Sequence, residues 1–377
     1  MTNRLTAIGL MSGTSLDGID AAILTTDGED VVETGHAIHV PYSRDHKIWA
    51  RRAIKAALEG RDGAAEIGKA AGEVTHAHIL AVEKLLEEAG VKRTDIDVMG
   101  FHGQTILHRP SRDPGVAGRT WQIGDGRVLA DETRIDVVCD FRAADVAAGG
   151  EGAPFAPAYH RALLAAMPEP PECAVGVINL GGVSNVTYAP ENARAADLIA
   201  YDCGPGNGLI DEWVELKTGE PMDKDGAMAR AGEVNEEALR MMLLAPYLRR
   251  SPPKSLDRYD FKLDHVRKLS PEDGAATLTA FTAACIRDSV KFLPDPPGGW
   301  IVCGGGRHNP AMMAALKDML DAPVVTAEEA GWRGDDLEAE CFAYLAVRSL
   351  KKLPLSYPKT TRVPVPMKGG VYFRAPV

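Results

Sequence analysis

Apolar positions along the chain fall into blocks of two different periods. Residues 5–11, 19–26 and 31–39 are short apolar runs, and Asp27-Gly28 between the last two is a good hairpin dipeptide, so they predict a β-meander. Residues 44–60 and 63–90 carry Ala, Leu and Glu at three- and four-residue spacing and predict two helices. Ile96 to His102 and Ile135 to Asp140 read as strands. A helix is predicted from Ala153, with Pro154 and Pro157 in its opening turns, to about Met167, and Pro168–Pro171 reads as a linker. Near Ala174 the order of hairpin, strand and helix begins again, which suggests two similarly built halves, although their identity is too weak to call a repeat. After 205 the pattern is helical over 207–218, 223–244 and 274–293, broken by the proline-bearing stretch 246–256. Helix 336–351 is expected to close the second half. The Pro-rich tail 354–377, with short strand-like pieces, is expected to return to the first domain. The fold class is therefore α/β with two domains, 1–145 plus 355–377 and 146–354.

Composition narrows the function classes. A chain of 377 residues can bury two cores, and 45% hydrophobic with 25% charged residues is ordinary for a globular protein. The net charge of −11 argues against general nucleic-acid binding, which needs a basic surface. No apolar run reaches the length of a membrane span, and the apolar stretch after Arg4 stops at Ser12, too short for a secretory signal. A soluble, cytoplasmic protein is expected. The six cysteines are scattered without Cys-x-x-Cys pairs, which predicts neither a zinc site nor a disulfide framework but small buried hydrophobes.

Two glycine-rich hairpins carry the chemistry. Ile8-Gly9-Leu10-Met11-Ser12-Gly13-Thr14-Ser15-Leu16-Asp17-Gly18-Ile19-Asp20 and Asn179-Leu180-Gly181-Gly182-Val183-Ser184-Asn185 are each an apolar strand, a turn of small polar residues and a second strand. Such turns present successive N–H groups as an anion-binding concavity. Two of them facing each other could hold a polyphosphate from both sides. A third element, Trp300 to Cys303 followed by Gly304-Gly305-Gly306-Arg307-His308-Asn309 and a helical run, is a strand, a flexible turn and a helix start. Its backbone can lie flat against a base or ribose. By contrast, Gly63 to Ala70 only imitates a P-loop: no strand precedes it, and Ala70 stands where Ser or Thr would meet magnesium. It reads as a helix face.

This series of motifs resembles the sugar kinase, Hsp70 and actin superfamily. More narrowly, Leu10 to Asp20, Phe101-His102-Gly103-Gln104-Thr105, Trp121-Gln122-Ile123-Gly124-Asp125, Asn179 to Asn185 and Asp202-Cys203-Gly204-Pro205-Gly206-Asn207 resemble anhydro-N-acetylmuramic acid kinases, over nearly the whole chain from Gly9 to about Glu338. The resemblance implies an actin-like ATPase fold of two ribonuclease H-like halves around a central nucleotide cleft. It also implies ATP and Mg²⁺ as cofactors, a small amino-sugar substrate, no nucleic-acid or membrane partner, and a homodimer.

On that resemblance, Ser12, Gly13, Thr14, Ser15, Leu16, Asp17, Gly18 and Ile19 form the first phosphate-binding segment, and Gly181, Gly182 and Asn185 the second. Gly304, Gly305, Gly306 and Asn309 would contact adenosine. Asp17 and Asp20 would orient metal-bound water. Candidate sugar contacts are His102, Gln104, Gln122, Asp125, Arg142 and Glu338, with the Arg142 fork suited to a lactyl carboxylate. Asp140 and Phe141 flank Arg142, and Gly149 to Pro154 forms a fourth sugar segment. Asp202, after the apolar run Leu198 to Tyr201 and before a flexible Gly-Pro-Gly, matches the residue that activates water. It would drive water onto the anomeric carbon of a 1,6-anhydro sugar while the released O6 attacks the γ-phosphate. The product is N-acetylmuramate 6-phosphate, an intermediate of cell-wall recycling. One position departs from the pattern: Glu151 stands where Gln is usual in Gly-Gly-x-Gly-Ala-Pro, an added charge near an anionic substrate. Other readings are a same-fold kinase for another sugar acid and an actin- or Hsp70-like ATPase. The second is disfavoured because no peptide-binding module is visible.

Overall fold

The computed structural model describes residues 4–13, 15–111, 116–256 and 261–376. β1 (Leu5–Ser12), β2 (Gly18–Thr26) and β3 (Val32–Pro41) form the expected antiparallel meander. α1 (Arg44–Leu58), whose first turn is capped by Ser43, and α2 (Ala65–Ala89) follow. The P-loop imitation lies at the start of α2, and Lys69 pairs with Glu73 one turn on. β4 (Val98–Arg109) returns parallel to β1. Next come β5 (Arg119–Ile123), α3 (Gly126–Thr133), β6 (Val137–Cys139), α4 (Ala143–Ala147) and α5 (Pro157–Ala165). α5 begins later than the pattern predicts, because Pro157 takes its first helical position and the residues before it are irregular.

The second half repeats the plan with β7 (Val175–Leu180), β8 (Val183–Ala189) and β9 (Ile199–Pro205), then α6 (Gly208–Thr218). The predicted helix 223–244 is instead two short helices, α7 (Ala227–Ala231) and α8 (Glu236–Met242). Asp225 and Gly226 adopt positive φ, and Asn235 caps a fresh start at α8. α9 (Pro271–Ser289) is buried along most of its length. β10 (Gly299–Cys303), α10 (Pro310–Met319) and β11 (Val324–Thr326) complete this part. The chain ends with α11 (Leu337–Leu350), α12 (Pro358–Thr361) and β12 (Val371–Phe373).

The molecule divides into two compact units, 1–168 with 336–377, and 169–335. In the first unit the strands run β12-β6-β4-β1-β2-β3, with β5 on the far end of β4; in the second they run β11-β10-β7-β8-β9. Each unit thus has a three-strand antiparallel meander whose first strand continues into two parallel crossovers. That is a ribonuclease H-like sheet, built twice. The tail returns to the first unit as expected, β12 pairing with β6.

The first boundary falls at 168 rather than 145 because α5 stays with the first unit, and the second falls at 336 rather than 355 because of α11. The sequence pattern gives this helix to the second half; the structure packs it on the first sheet. Gly9 of β1 lies opposite Gly100 of β4, and a Cβ there would stand 1.7 Å from the Ala339 carbonyl and 2.0 Å from that of Phe342. The helix backbone rests directly on two facing glycines. Among the described residues no helix is long and apolar enough to cross a membrane.

Candidate active site

In the first unit the hairpin after β1 is a tight, internally bonded turn. The Leu16 N–H donates to Gly13 O at 3.3 Å, with Leu16 at φ 58°. Asp17 Oδ1 accepts from Ser15 Oγ at 2.8 Å and from the Gly18 N–H at 2.9 Å. The buried Ser12 hydroxyl donates to Gly103 O at 3.0 Å. Leu16 and Ile19 turn their side chains into a small core with Tyr42, so only their backbone remains for a ligand. Thr14 lies outside the described residues. Gln104, expected at the sugar, is fully buried and instead braces the hairpin, its Nε2 donating to Gly13 O at 3.1 Å. Asp20 binds His39 Nδ1 at 2.7 Å. Burial raises the Asp20 carboxyl, against the lowering effect of His39, and the carboxylates of Asp17 and Asp336 add to the rise.

β4 carries a bulge where Leu10 and Ser12 of β1 pass it, with Gly103 at φ 72°. Bulges re-aim neighbouring side chains. Beside this one lies a cavity of about 300 Å³ lined by His102, Gln122, Asp140 and their neighbours. Arg142 donates Nε (3.3 Å) and Nη2 (3.2 Å) to His102 Nε2. Because guanidinium only donates, Nε2 must accept, which assigns the ring proton to Nδ1. Burial, then the Arg142 charge, holds His102 well below the usual histidine range. Its Nδ1 and Gln122 Oε1 are buried without a hydrogen-bond partner among the described residues. Buried polar atoms are rarely left so, and in a cavity they point to a ligand.

Of the remaining sugar candidates, Asp125 and Glu338 do not line this cavity, whereas Arg142 borders it through His102. Asp125 is exposed and caps α3, accepting from Arg127 N and Val128 N at 2.9 and 3.0 Å. Arg142 also donates Nη1 to Gly152 O at 2.7 Å, so its fork orients His102 and the Gly149–Gly152 loop. Glu338 is exposed in the first turn of α11, and its charge favours the charged form of Arg142. Glu151 is buried against Arg362, with Nη2 3.1 Å from Oε1.

In the second unit the turn between β7 and β8 packs on the start of α6. The N–H groups of Gly206 and Gly208 donate to Gly182 O, and that of Asn207 to Gly181 O, at 2.8–3.1 Å. A Cβ on Gly182 or Gly305 would meet nothing within 4 Å, leaving both backbones accessible. Gly304, at φ 76°, has no such room: a Cβ there would lie 2.3 Å from Asn179 Oδ1. The Asn309 side chain caps α10, accepting from Ala311 N at 2.9 Å and Met312 N at 3.2 Å. Asn185 faces Asp202 across β8 and β9, beside a bulge opposite Ser184. The Asp202 Oδ2 accepts from the Leu256 N–H at 2.7 Å.

Three supporting groups are not among the candidates named from the sequence. Arg307, its side chain 1% exposed, pairs with Glu328 (2.7 Å) and Asp335 (2.8 Å) and donates to Gly304 O at 2.9 Å, fixing the triple-glycine turn. Asp145 accepts from Gly152 N (2.7 Å), Thr361 Oγ1 (2.6 Å) and Ser356 Oγ, tying the glycine loop to the tail. Lys254 O accepts from the Asp202 N–H, and the Tyr247 hydroxyl donates to the Asp202 carbonyl. Only Arg307, embedded in its glycine run, had a local signal that could have found it.

A doubled ribonuclease H-like sheet with a glycine hairpin after the first strand of each unit defines an actin-like ATPase fold, the class that includes sugar kinases. A model of the anhydro-N-acetylmuramic acid kinase family matches residues 5–374, and the chain belongs to that family. It is 50% identical over 377 residues to the anhydro-N-acetylmuramic acid kinase of Nitrobacter winogradskyi, covering 98% of this chain and 100% of the relative. It is 47% identical over 367 residues to that of Paramagnetospirillum magneticum, covering 97% and 98%. Among solved structures, component A of (R)-2-hydroxyglutaryl-CoA dehydratase from Acidaminococcus fermentans is similar at 14% identity and TM-score 0.49, over 91% of this chain and 99% of that one.

Proposed function

We propose that this chain opens 1,6-anhydro-N-acetylmuramic acid with water and phosphorylates the released O6 from ATP, in cell-wall recycling. Full-length family membership carries this reading. The cavity in the first unit supports it with a buried donor, His102 Nδ1, and a buried acceptor, Gln122 Oε1, suited to an amino sugar. The enzyme is a phosphotransferase with an alcohol group as acceptor.

Asp202 is the proposed base. It takes a proton from water as the oxygen bonds to C1, the C1–O6 bond breaks, and O6 attacks the γ-phosphorus to release ADP. On the family resemblance, Ser12 to Ile19 and Gly181, Gly182 and Asn185 are the proposed phosphate donors, and the Gly304–Gly306 turn, open at Gly305, is the proposed adenosine contact. Burial, and then the Arg142 charge, hold His102 neutral, and Arg142 supplies positive charge beside an acidic sugar.

Among the described residues no three His, Cys, Asp or Glu side chains are arranged to hold a metal. Mg²⁺ usually keeps several waters and uses few carboxylates. Asp17 and Asp20, whose like charges repel each other, fit that limited role. When bound, the ion would neutralise charge on the transferring phosphoryl group. Because ATP is a cytoplasmic substrate, the cytoplasm is the proposed compartment. A homodimer is proposed on the family resemblance, and sedimentation velocity tests it.

Incubation with Mg-ATP and the anhydro sugar in ¹⁸O-water should give a 6-phosphorylated, ring-opened product with ¹⁸O at C1. Asp202→Asn should lower kcat by about 10³-fold, as loss of a general base does, with the KM for ATP little changed. ATP consumption without sugar product would overturn the substrate, and full activity in Asp202→Asn would overturn the base.

A further inference from the structure

Asp202 is gripped at three points by the segment that follows α8. Its N–H donates to Lys254 O at 3.0 Å, its carbonyl accepts from the Tyr247 hydroxyl at 2.9 Å, and Oδ2 accepts from the Leu256 N–H. The backbone and the carboxylate are thus both set by residues 247–256. That segment has little regular structure of its own beyond a short 3₁₀ turn, Pro246–Arg249. Something else must hold it.

The anchor is Lys254. It is 6% exposed, and its ammonium lies 4.7 Å from the Tyr247 ring centre, 4.8 Å from Phe292 and 6.0 Å from Tyr201. Its hydrogen bond to Tyr247 O is 3.4 Å long. Among the described residues no carboxylate lies within ion-pair distance of Nζ. A buried ammonium costs stability unless polar or aromatic partners offset its desolvation, and a cage of three aromatic rings does so while giving it a defined place. The cage draws on β9, the 3₁₀ turn Pro246–Arg249 and a second 3₁₀ turn, Val290–Phe292, that follows α9, so the ammonium pins the segment to the element that carries Asp202. We propose that residues Tyr247–Leu256 are a positioning strap for Asp202, with the caged Lys254 ammonium as its anchor; this rests on Asp202 being the base.

The charge on Lys254 is at risk. Burial lowers its pKa to about 8, opposed by the Cys203, Cys285 and Asp202 side chains and aided by Lys291. With Tyr201, Tyr247 and Phe292 these are the groups that face it among the described residues. The strap should therefore loosen as pH rises through about 8, giving an alkaline limb to kcat.

The variants are Lys254→Met, which keeps the length and fills the cage, and Tyr247→Phe, which removes one hydroxyl. Lys254→Met should lower kcat about 10-fold or more, with both KM values within about threefold, since misplacement of a catalytic group by an ångström costs about that much or more. Its alkaline limb near pH 8 should vanish, and the Leu256 amide should exchange hydrogen about 10-fold faster than in wild type. Tyr247→Phe, with the ring retained, should show a smaller kcat loss of about threefold in the same pattern. Wild-type kcat and wild-type Leu256 protection in Lys254→Met would overturn the proposal; if that variant does not fold, unchanged kcat in Tyr247→Phe overturns it. Should Asp202→Asn stay active, the base assignment falls, and Leu256 exchange in Lys254→Met still decides whether the strap exists.

Discussion

Glu151 brings a carboxylate into the glycine loop that lies beside the proposed sugar cavity. The charge does not stand alone: Arg362 meets Oε1 at 3.1 Å, and the Glu151 N–H donates to Thr361 O at 2.6 Å. The pair is partly solvent-exposed on the arginine side, where such bridges contribute about 1 kcal/mol or less. Glu151→Gln should therefore leave the KM for the sugar within about twofold and change stability by under about 1 kcal/mol, as steady-state kinetics and thermal melting would show. A tenfold drop in KM would instead mean that the carboxylate repels the substrate. Residues within continuous motifs are the legible part of the proposed site: Asp17, His102, Gln122 and Asp202 are named from the chain. The direction each side chain takes was not. Gln104 braces the hairpin, Asp125 caps α3 and Asn309 caps α10, because a polar side chain near a helix start meets unsatisfied N–H groups first. Asp145 and Lys254 act through partners more than 200 and about 50 positions away, and no local pattern marks such pairings.

At the scale of elements, the meander, α1, α2 and both glycine hairpins follow from periodicity, since their burial pattern repeats within the segment itself. The placement of α11 does not. It depends on two glycines that become neighbours only when β1 and β4 pair, and a glycine in a strand looks the same in sequence whether it faces a helix or solvent. Gly68 offers the contrast, lying within α2 with nothing within 4 Å of a would-be Cβ. Gly68→Ala should stabilise the first unit by about 0.5–1 kcal/mol through helix propensity. Gly9→Ala, with its Cβ 1.7 Å from a backbone carbonyl, should cost more than about 4 kcal/mol and leave little folded first unit. Thermal melting of the two variants side by side reads opposite signs from one substitution type. Equal effects would show that α11 does not lie on these glycines.

For the whole molecule, the distribution of histidines separates the two units. His78, His102 and His160 are buried and His108 half-buried, all in the first unit, whereas His265 and His308 of the second are exposed. Burial is the leading cause of the lowered pKa in each of the four; it brings His78, His108 and His160 to about 4 and His102 well below its usual range. A histidine whose folded pKa is depressed stays neutral in the native state while the unfolded chain takes up a proton below about pH 6.5. The unfolded state then binds more protons, so stability falls as pH falls through that window and recovers above it. At pH 5, about 1.5 units below the unfolded value, each group shifted to about 4 destabilises the first unit by about 2 kcal/mol, at about 1.4 kcal/mol per unit. Three such groups give about 6 kcal/mol, comparable with the whole stability of a typical domain. Limited proteolysis at pH 5 and pH 7.5, with fragments identified by mass, should therefore find cleavage at pH 5 concentrated in 1–168 and 336–377 while 169–335 stays protected. His78→Phe fills the same buried site against Phe101 without a titrating group and should restore part of the protection. Uniform cleavage of both units at pH 5 would mean that carboxylates, which both units share, govern acid unfolding instead. His102, held well below its usual range by burial and then by the Arg142 charge, stays neutral while the first unit is folded, so sugar binding should be lost with the opening of that unit and not before it.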